Sequence, residues 1–143
     1  MRNVERHLRP LHTYAQFQTW GEQVQHYPGF LFEVKASRYI THMRKLQHAE
    51  EGVQRLDSAA KGLGEHLGPF LYQLPPLWRA NVPRLEQFIA SLPRDRRAAF
   101  EFRDPSWFQP EQVQALRCIL GEAGCALVIS IGGTLSTPLA RPW

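Results

Sequence analysis

The sequence predicts an α/β fold, a partial TIM-like (β/α) barrel of about four parallel strands alternating with helices. Three observations lead there. First, alternating apolar segments ending at Lys35, Gln73, Arg103 and Ser130 recur about every 30 residues, the length of a strand joined to a parallel neighbour by a crossover helix. Second, the stretches between them carry apolar residues at helical spacing. Third, the strands are apolar on one face only, with Glu33, Lys35, Gln73, Glu101 and Arg103 opposite the Phe, Val and Leu side. An open doubly wound sheet meets helices on both faces and should be apolar on both, whereas the inner face of a barrel holds polar layers near its mouth.

Taken in order, residues 1–12 are charged and without periodicity, and read as a loose N-terminal segment. From Thr13 to Gln25, Tyr14, Phe17, Trp20 and Val24 follow helical spacing, with Thr13 as the cap. Tyr27-Pro28-Gly29 makes a turn, and Phe30 to Lys35 makes the first strand. The loop after it holds Ser37, Arg38, Thr41 and His42. A helix is predicted from about Met43 to Leu63, burying Leu46, Val53, Leu56, Ala60 and Leu63. Gly68-Pro69 opens the second strand, Phe70 to Leu74, which closes on Pro75-Pro76. Near Asn81 a shorter helix begins, with Leu85, Phe88, Ile89 and Leu92 on one face.

The third strand lies in AFEFRDPSWF, Ala99 to Phe108. Strand side chains alternate, so Phe100 and Phe102 point one way and Glu101 and Arg103 the other. Pro105 ends the ladder and biases Asp104 to extended geometry, which puts Asp104, Ser106 and Trp107 in a loop. Pro110 suits a first helical turn, and Val113, Leu116, Ile119 and Leu120 bury one side of that helix until Gly121 or Gly124 ends it. Ala126 to Ser130 is the fourth strand. Gly132-Gly133 follows it, a turn whose backbone N–H groups could receive a phosphate. The chain closes in a loop with a tail at 139–143.

Composition bounds the function. The 143 residues fit one domain, placed at 13–138, and 43% hydrophobic with 21% charged residues is ordinary for a folded globular chain. A formal charge of +4 favours anionic partners, a small molecule or nucleic acid. The densest basic cluster, Arg94 to Arg97, reads as a solvated turn. Cys118 and Cys125 form no CxxC and no Cys/His ligand set, which argues against zinc and against a disulfide framework. No apolar run approaches the roughly 18 residues that span a bilayer, and the N-terminus lacks the apolar core of a signal peptide. The expectation is a cytoplasmic, reduced protein with no membrane partner. The sequence names neither a metal nor a cofactor.

In a barrel, chemistry gathers at the C-terminal strand ends. There Lys35, Arg38 and Arg103 are candidate anion contacts, the arginines as planar forks and the lysine as a point charge. The competing reading is internal pairing with Glu33 or Glu101. His42 is the acid/base candidate by residue type, and Glu101 is a second one if burial raises its affinity for protons. Gln73 can orient a ligand or satisfy interior hydrogen bonds. Trp107 can stack a sugar or base, or cap the barrel mouth. Ser106 lacks a GxSxG elbow and is read as a contact or capping residue.

Three segments in this order, FLFEVKASRYITHMRKL (Phe30 to Leu46), LGPFLYQLPP (Leu67 to Pro76) and AFEFRDPSWF, resemble the YecE-like family called domain of unknown function 72. The resemblance covers roughly Phe17 to Pro138 and implies a TIM-like barrel of bacterial or archaeal type. It carries Lys35, Ser37, Arg38, Thr41, His42, Gln73, Pro75, Pro76, Glu101, Arg103, Ser106 and Trp107 as characteristic positions. Family members usually have further strands before and after such a stretch, and often an acid where Ile131 stands. A full barrel takes about 250 residues, so the chain resembles the middle portion of one. Half a barrel has two open strand edges, from which self-association, or an inactive fragment, is expected.

Overall fold

A computed structural model describes residues 12–131. Most of the loose segment expected at 1–12, Gly132-Gly133 and the tail at 139–143 lie outside the described residues. Of the first, His12 is described, its ring against Phe17 and Trp20 at centroid distances of 5.7 and 4.8 Å.

Helix α1 (Tyr14–Gln23) starts where the cap predicts. Thr13 Oγ1 accepts from the Gln16 backbone N–H, and Gln16 Oε1 accepts from that of Thr13, which satisfies donors the helix cannot. Strand β1 (Phe32–Lys35), helix α2 (Glu50–Ala60), strand β2 (Leu67–Gln73), helix α3 (Val82–Ser91), strand β3 (Ala98–Glu101), helix α4 (Pro110–Glu122) and strand β4 (Ala126–Val128) follow. The four strands are parallel and lie in the order β1-β2-β3-β4. A sequential order without a switch point is what the wall of a (β/α) barrel requires; a doubly wound sheet reverses direction once.

The predicted alternation holds. Val34, Phe70, Tyr72, Leu74, Ala98, Phe100 and Phe102 are buried in one core with Leu56, Leu63, Leu85, Phe88, Leu116 and Leu120 from the helices and their ends. Tyr72 stacks on Phe100 at 5.2 Å, and Phe88 of α3 meets both rings edge-on. The opposite face carries the polar set.

Several boundaries differ from the expectation. β1 begins two residues late because the Phe30 carbonyl accepts from His66 Nδ1 at 2.8 Å instead of joining the ladder, and Phe30 and Leu31 stand exposed. β4 stops at Val128 because its partner β3 ends at Glu101, the residue paired with Val128. The helix expected from Met43 is interrupted. A π-helical turn (Tyr39–Met43) comes first, closed by Arg44 N–H to the Tyr39 carbonyl at 2.8 Å. Lys45, Leu46 and His48 then adopt left-handed φ values of 48°, 67° and 48°, which no continuous helix tolerates. Leu46 still reaches the core, but from a turn. α2 itself runs into a 3₁₀ segment (Lys61–His66) that packs on α1.

That last contact depends on a glycine. A Cβ on Gly62 would sit 2.4 Å from the Tyr14 carbonyl oxygen and 2.8 Å from the Gln18 nitrogen, both backbone atoms. Gly62→Ala is therefore expected to destabilise the chain by about 1–3 kcal/mol, the usual cost of overpacking, read from the midpoint of urea denaturation.

The basic cluster before β3 is also more than a solvated turn. Arg96 Nε donates to Asp57 Oδ1 at 2.5 Å, and Lys61 lies 3.3 Å from the other oxygen, so that Asp57, buried on the inner side of α2, is neutralised.

Candidate functional site

Parallel strands bring Lys35, Gln73 and Glu101 to the same end of the sheet, and the period of two puts them on the face away from the helices. Gln73 and Glu101 are register partners. The result is a lateral chain of hydrogen bonds across three strands. Lys35 Nζ donates to Gln73 Oε1 at 2.6 Å, Gln73 Nε2 donates to Glu101 Oε2 at 2.7 Å, and Arg103 Nε donates to Glu101 Oε1 at 2.8 Å. Glu101 is buried at 5% exposure, and both of its oxygens are occupied. The pairing reading was thus right for Arg103, with Glu101 as the partner, while Lys35 is held by a neutral amide. Glu33 stands lower on β1 and is exposed, with no ion pair among those of the described residues.

The loop after β1 adds Arg38 and His42. Arg38 is exposed and precedes the π-helical turn that carries His42. Thr41, fully buried, anchors the imidazole: its hydroxyl reaches the Ser37 carbonyl at 3.3 Å and is hydrogen-bonded to His42 Nδ1 at 2.8 Å, which leaves Nε2 as the nitrogen open to a ligand. The sequence places Thr41 in the loop and the family resemblance marks its position; its burial against His42 is what gives it a role.

His42 gives up its proton more readily than an ordinary histidine. Partial burial is the largest cause, followed by the charges of Arg38, Lys35 and Arg103. Three cations from two strand ends therefore converge electrostatically on one imidazole, which stays neutral at pH 7. Because the folded chain binds this proton less well than the unfolded chain, the contribution to stability is present above the ordinary histidine value of 6.5 and is lost as pH falls below it. Stability is expected to drop more steeply below pH 6.5 in the parent than in His42→Asn, a comparison made by urea denaturation across pH.

Ser106 and Trp107 do not join this cluster. Trp107 is completely buried, its Nε1–H donating to the Trp78 carbonyl at 3.0 Å and its rings against Phe102 and Trp78 at 4.5 and 5.2 Å. No face is left for a ligand to stack on, which corrects the stacking expectation. The 3₁₀ turn Pro105–Phe108 carries the indole to the helix side of the sheet. Ser106 Oγ accepts from the Ala80 backbone N–H at 2.7 Å, which ties this turn to the lead-in of α3. Ser106 N–H in turn donates to Asp104 Oδ1 at 2.9 Å, so the cap of this turn is Asp104 and not Ser106, the residue expected to cap.

Among the described residues no group of His, Cys, Asp and Glu is placed to hold a metal, and no helix is long and apolar enough to cross a membrane. What the arrangement offers is charge. Among the described residues, Arg38 and the two terminal nitrogens of Arg103 enter no hydrogen bond or ion pair, beside a neutral imidazole with a free nitrogen.

The sequence profile of the family described as protein of unknown function DUF72 matches residues 10–136. Among solved structures, a DUF72 family protein from Enterococcus faecalis V583 is similar over 97% of this chain, at 20% identity and a TM-score of 0.76. A second structure of that protein is similar over 94%, with a TM-score of 0.72. A DUF72 family protein from Thermotoga maritima MSB8 is similar over 85% of this chain, at 23% identity and a TM-score of 0.67. The chain spans 59%, 52% and 48% of those three chains, about half their length. At these identities the likeness is one of fold. No curated protein matches the chain.

Proposed function

The chain belongs to the DUF72 family, and on that footing we propose that its strands form part of a TIM-like barrel that binds an anionic, phosphate-bearing ligand at their C-terminal ends. Lys35, Arg38 and Arg103 are the anion contacts, Gln73 orients Lys35, and His42 is the proton-exchanging group with Glu101 as a second candidate. The observation that carries this reading is the imbalance among the described residues at one end of the sheet: three cations against the carboxylate of Glu101, which is already shared between Gln73 and Arg103. Uncompensated cations gathered at strand ends attract an anion, and arginine forks suit phosphate oxygens.

Arg38→Ala separates binding from folding. Arg38 is exposed and unpaired among the described residues, so its loss should move stability by no more than about 0.5 kcal/mol. Affinity for inorganic phosphate should fall about tenfold or more, since a hydrogen bond to a charged group contributes about 1.5–3 kcal/mol. Unchanged phosphate affinity in both Arg38→Ala and Arg103→Ala would sink the reading. A binding module without catalysis is the alternative. Turnover of a phosphate ester that fails in His42→Asn supports an enzyme, whereas salt-dependent nucleic-acid binding without turnover supports the module.

A further inference from the structure

The charge count and the isolation of the imidazole say more about the ligand. On β1, Lys35 is held by the Gln73 amide, a partner that brings no opposite charge. Arg38, in the turn that follows, has no partner among the described residues, and Arg103 past β3 shares Glu101 with Gln73. Among the described residues at these strand ends, three positive charges less one negative leave two uncompensated. A monoanion would offset half of that excess; a dianion offsets all of it.

The charges that act on His42 come from each element around it: Arg38 from its own turn, Lys35 from β1 and Arg103 from the end of β3. No carboxylate of the described residues contributes. Thr41 Oγ1 holds Nδ1 at 2.8 Å, so Nε2 is the nitrogen left to face a ligand. An anion seated among the three cations offsets their field on the imidazole. By linkage, whatever makes the anion bind also makes the proton bind, and by the same factor.

We propose that the site takes a dianionic oxyanion of the phosphate-monoester class, and that its binding draws a proton onto His42 Nε2, which then faces the bound anion as an acid. The inference rests on the anion reading above and adds two things to it, the charge of the ligand and the coupling to protons.

Sulfate is the probe, because it is a dianion with no proton of its own to exchange near neutrality, and methanesulfonate is its monoanionic counterpart. Calorimetric titration of the 143-residue chain at pH 7, in two buffers of different ionisation enthalpy, reads affinity and proton exchange together. Sulfate is expected to bind at least about tenfold more tightly than methanesulfonate, as paired charge-assisted contacts would give. Its binding should take up a fraction of a proton. In His42→Asn, or His42→Gln should the first fail to fold, sulfate should still bind but exchange no proton. Equal affinity for the two anions, or proton uptake that persists without His42, overturns this inference and leaves the anion site standing. Failure of both anions to bind, in a chain shown to be folded by circular dichroism, overturns the anion site itself.

Discussion

Trp107→Ala is expected to lower the unfolding free energy by about 3–5 kcal/mol, the range for removing a large aromatic from a core. The side chain is completely buried, and its truncation empties the space between Phe102 and Trp78. It also orphans the Trp78 carbonyl, which accepts the indole N–H. Trp78 lies in the loop after β2 and Trp107 in the turn after β3, so this contact locks two neighbouring strand exits together. A folded domain has about 5–15 kcal/mol in hand, so the variant should give up a large part of its stability. Trp107→Phe should cost less, since it keeps a ring in place and gives up the hydrogen bond. Urea denaturation followed by circular dichroism decides the matter. A change in Trp107→Ala below about 1 kcal/mol would mean that the indole is not a core residue, and would return it to the ligand surface.

Glu101→Ala is expected to act in opposite directions on stability and on binding. Removing the carboxylate leaves Gln73 Nε2 and Arg103 Nε without their acceptor. For a fully buried pair the cost is about 3–5 kcal/mol; here Arg103 retains 22% exposure and can turn toward water, so about 2–3 kcal/mol is the expected loss. The same substitution removes the only carboxylate that, among the described residues, is bonded to the cation cluster, so affinity for phosphate should rise. Paired measurements of urea midpoint and phosphate affinity test both arms. A loss of stability with no gain in affinity would place the anion outside the reach of Glu101.

Where local periodicity decides, the sequence was a good guide. The pattern in Ala99 to Arg103 needs only the strand period, and Phe100 and Phe102 do stack at 6.2 Å on one face while Glu101 and Arg103 meet on the other. The same period predicts that Lys35, Gln73 and Glu101 share a face. Their hydrogen bonds then follow from sequential strand order, which brings residues 38 and 28 positions apart into contact.

Tertiary effects were harder to read. The interruption after the first loop places Lys45, Leu46 and His48 in a conformation normally reserved for glycine, and no residue type there announces it. Trp107 follows a strand and a proline, which reads as a surface loop, but a single 3₁₀ turn is enough to fold it back under the helices. The Asp57–Arg96 pair had half a signal: an acid beside Leu56 on the buried side of a helix must find a cation, but its partner lies 39 residues away.

The π-helical turn at Tyr39–Met43 has a consequence for how this loop tolerates change in length. A π turn holds one residue more than an α turn, and each residue swings the following side chains by about 100°. The direction in which His42 faces is thus set by the number of residues between Ser37 and Arg44, and only secondarily by which side chains they carry. Substitutions at exposed Met43 leave that count intact. Deleting one residue from the turn would convert it to an ordinary helical turn and carry the imbalance of charge away from the imidazole, with little disturbance to the sheet below.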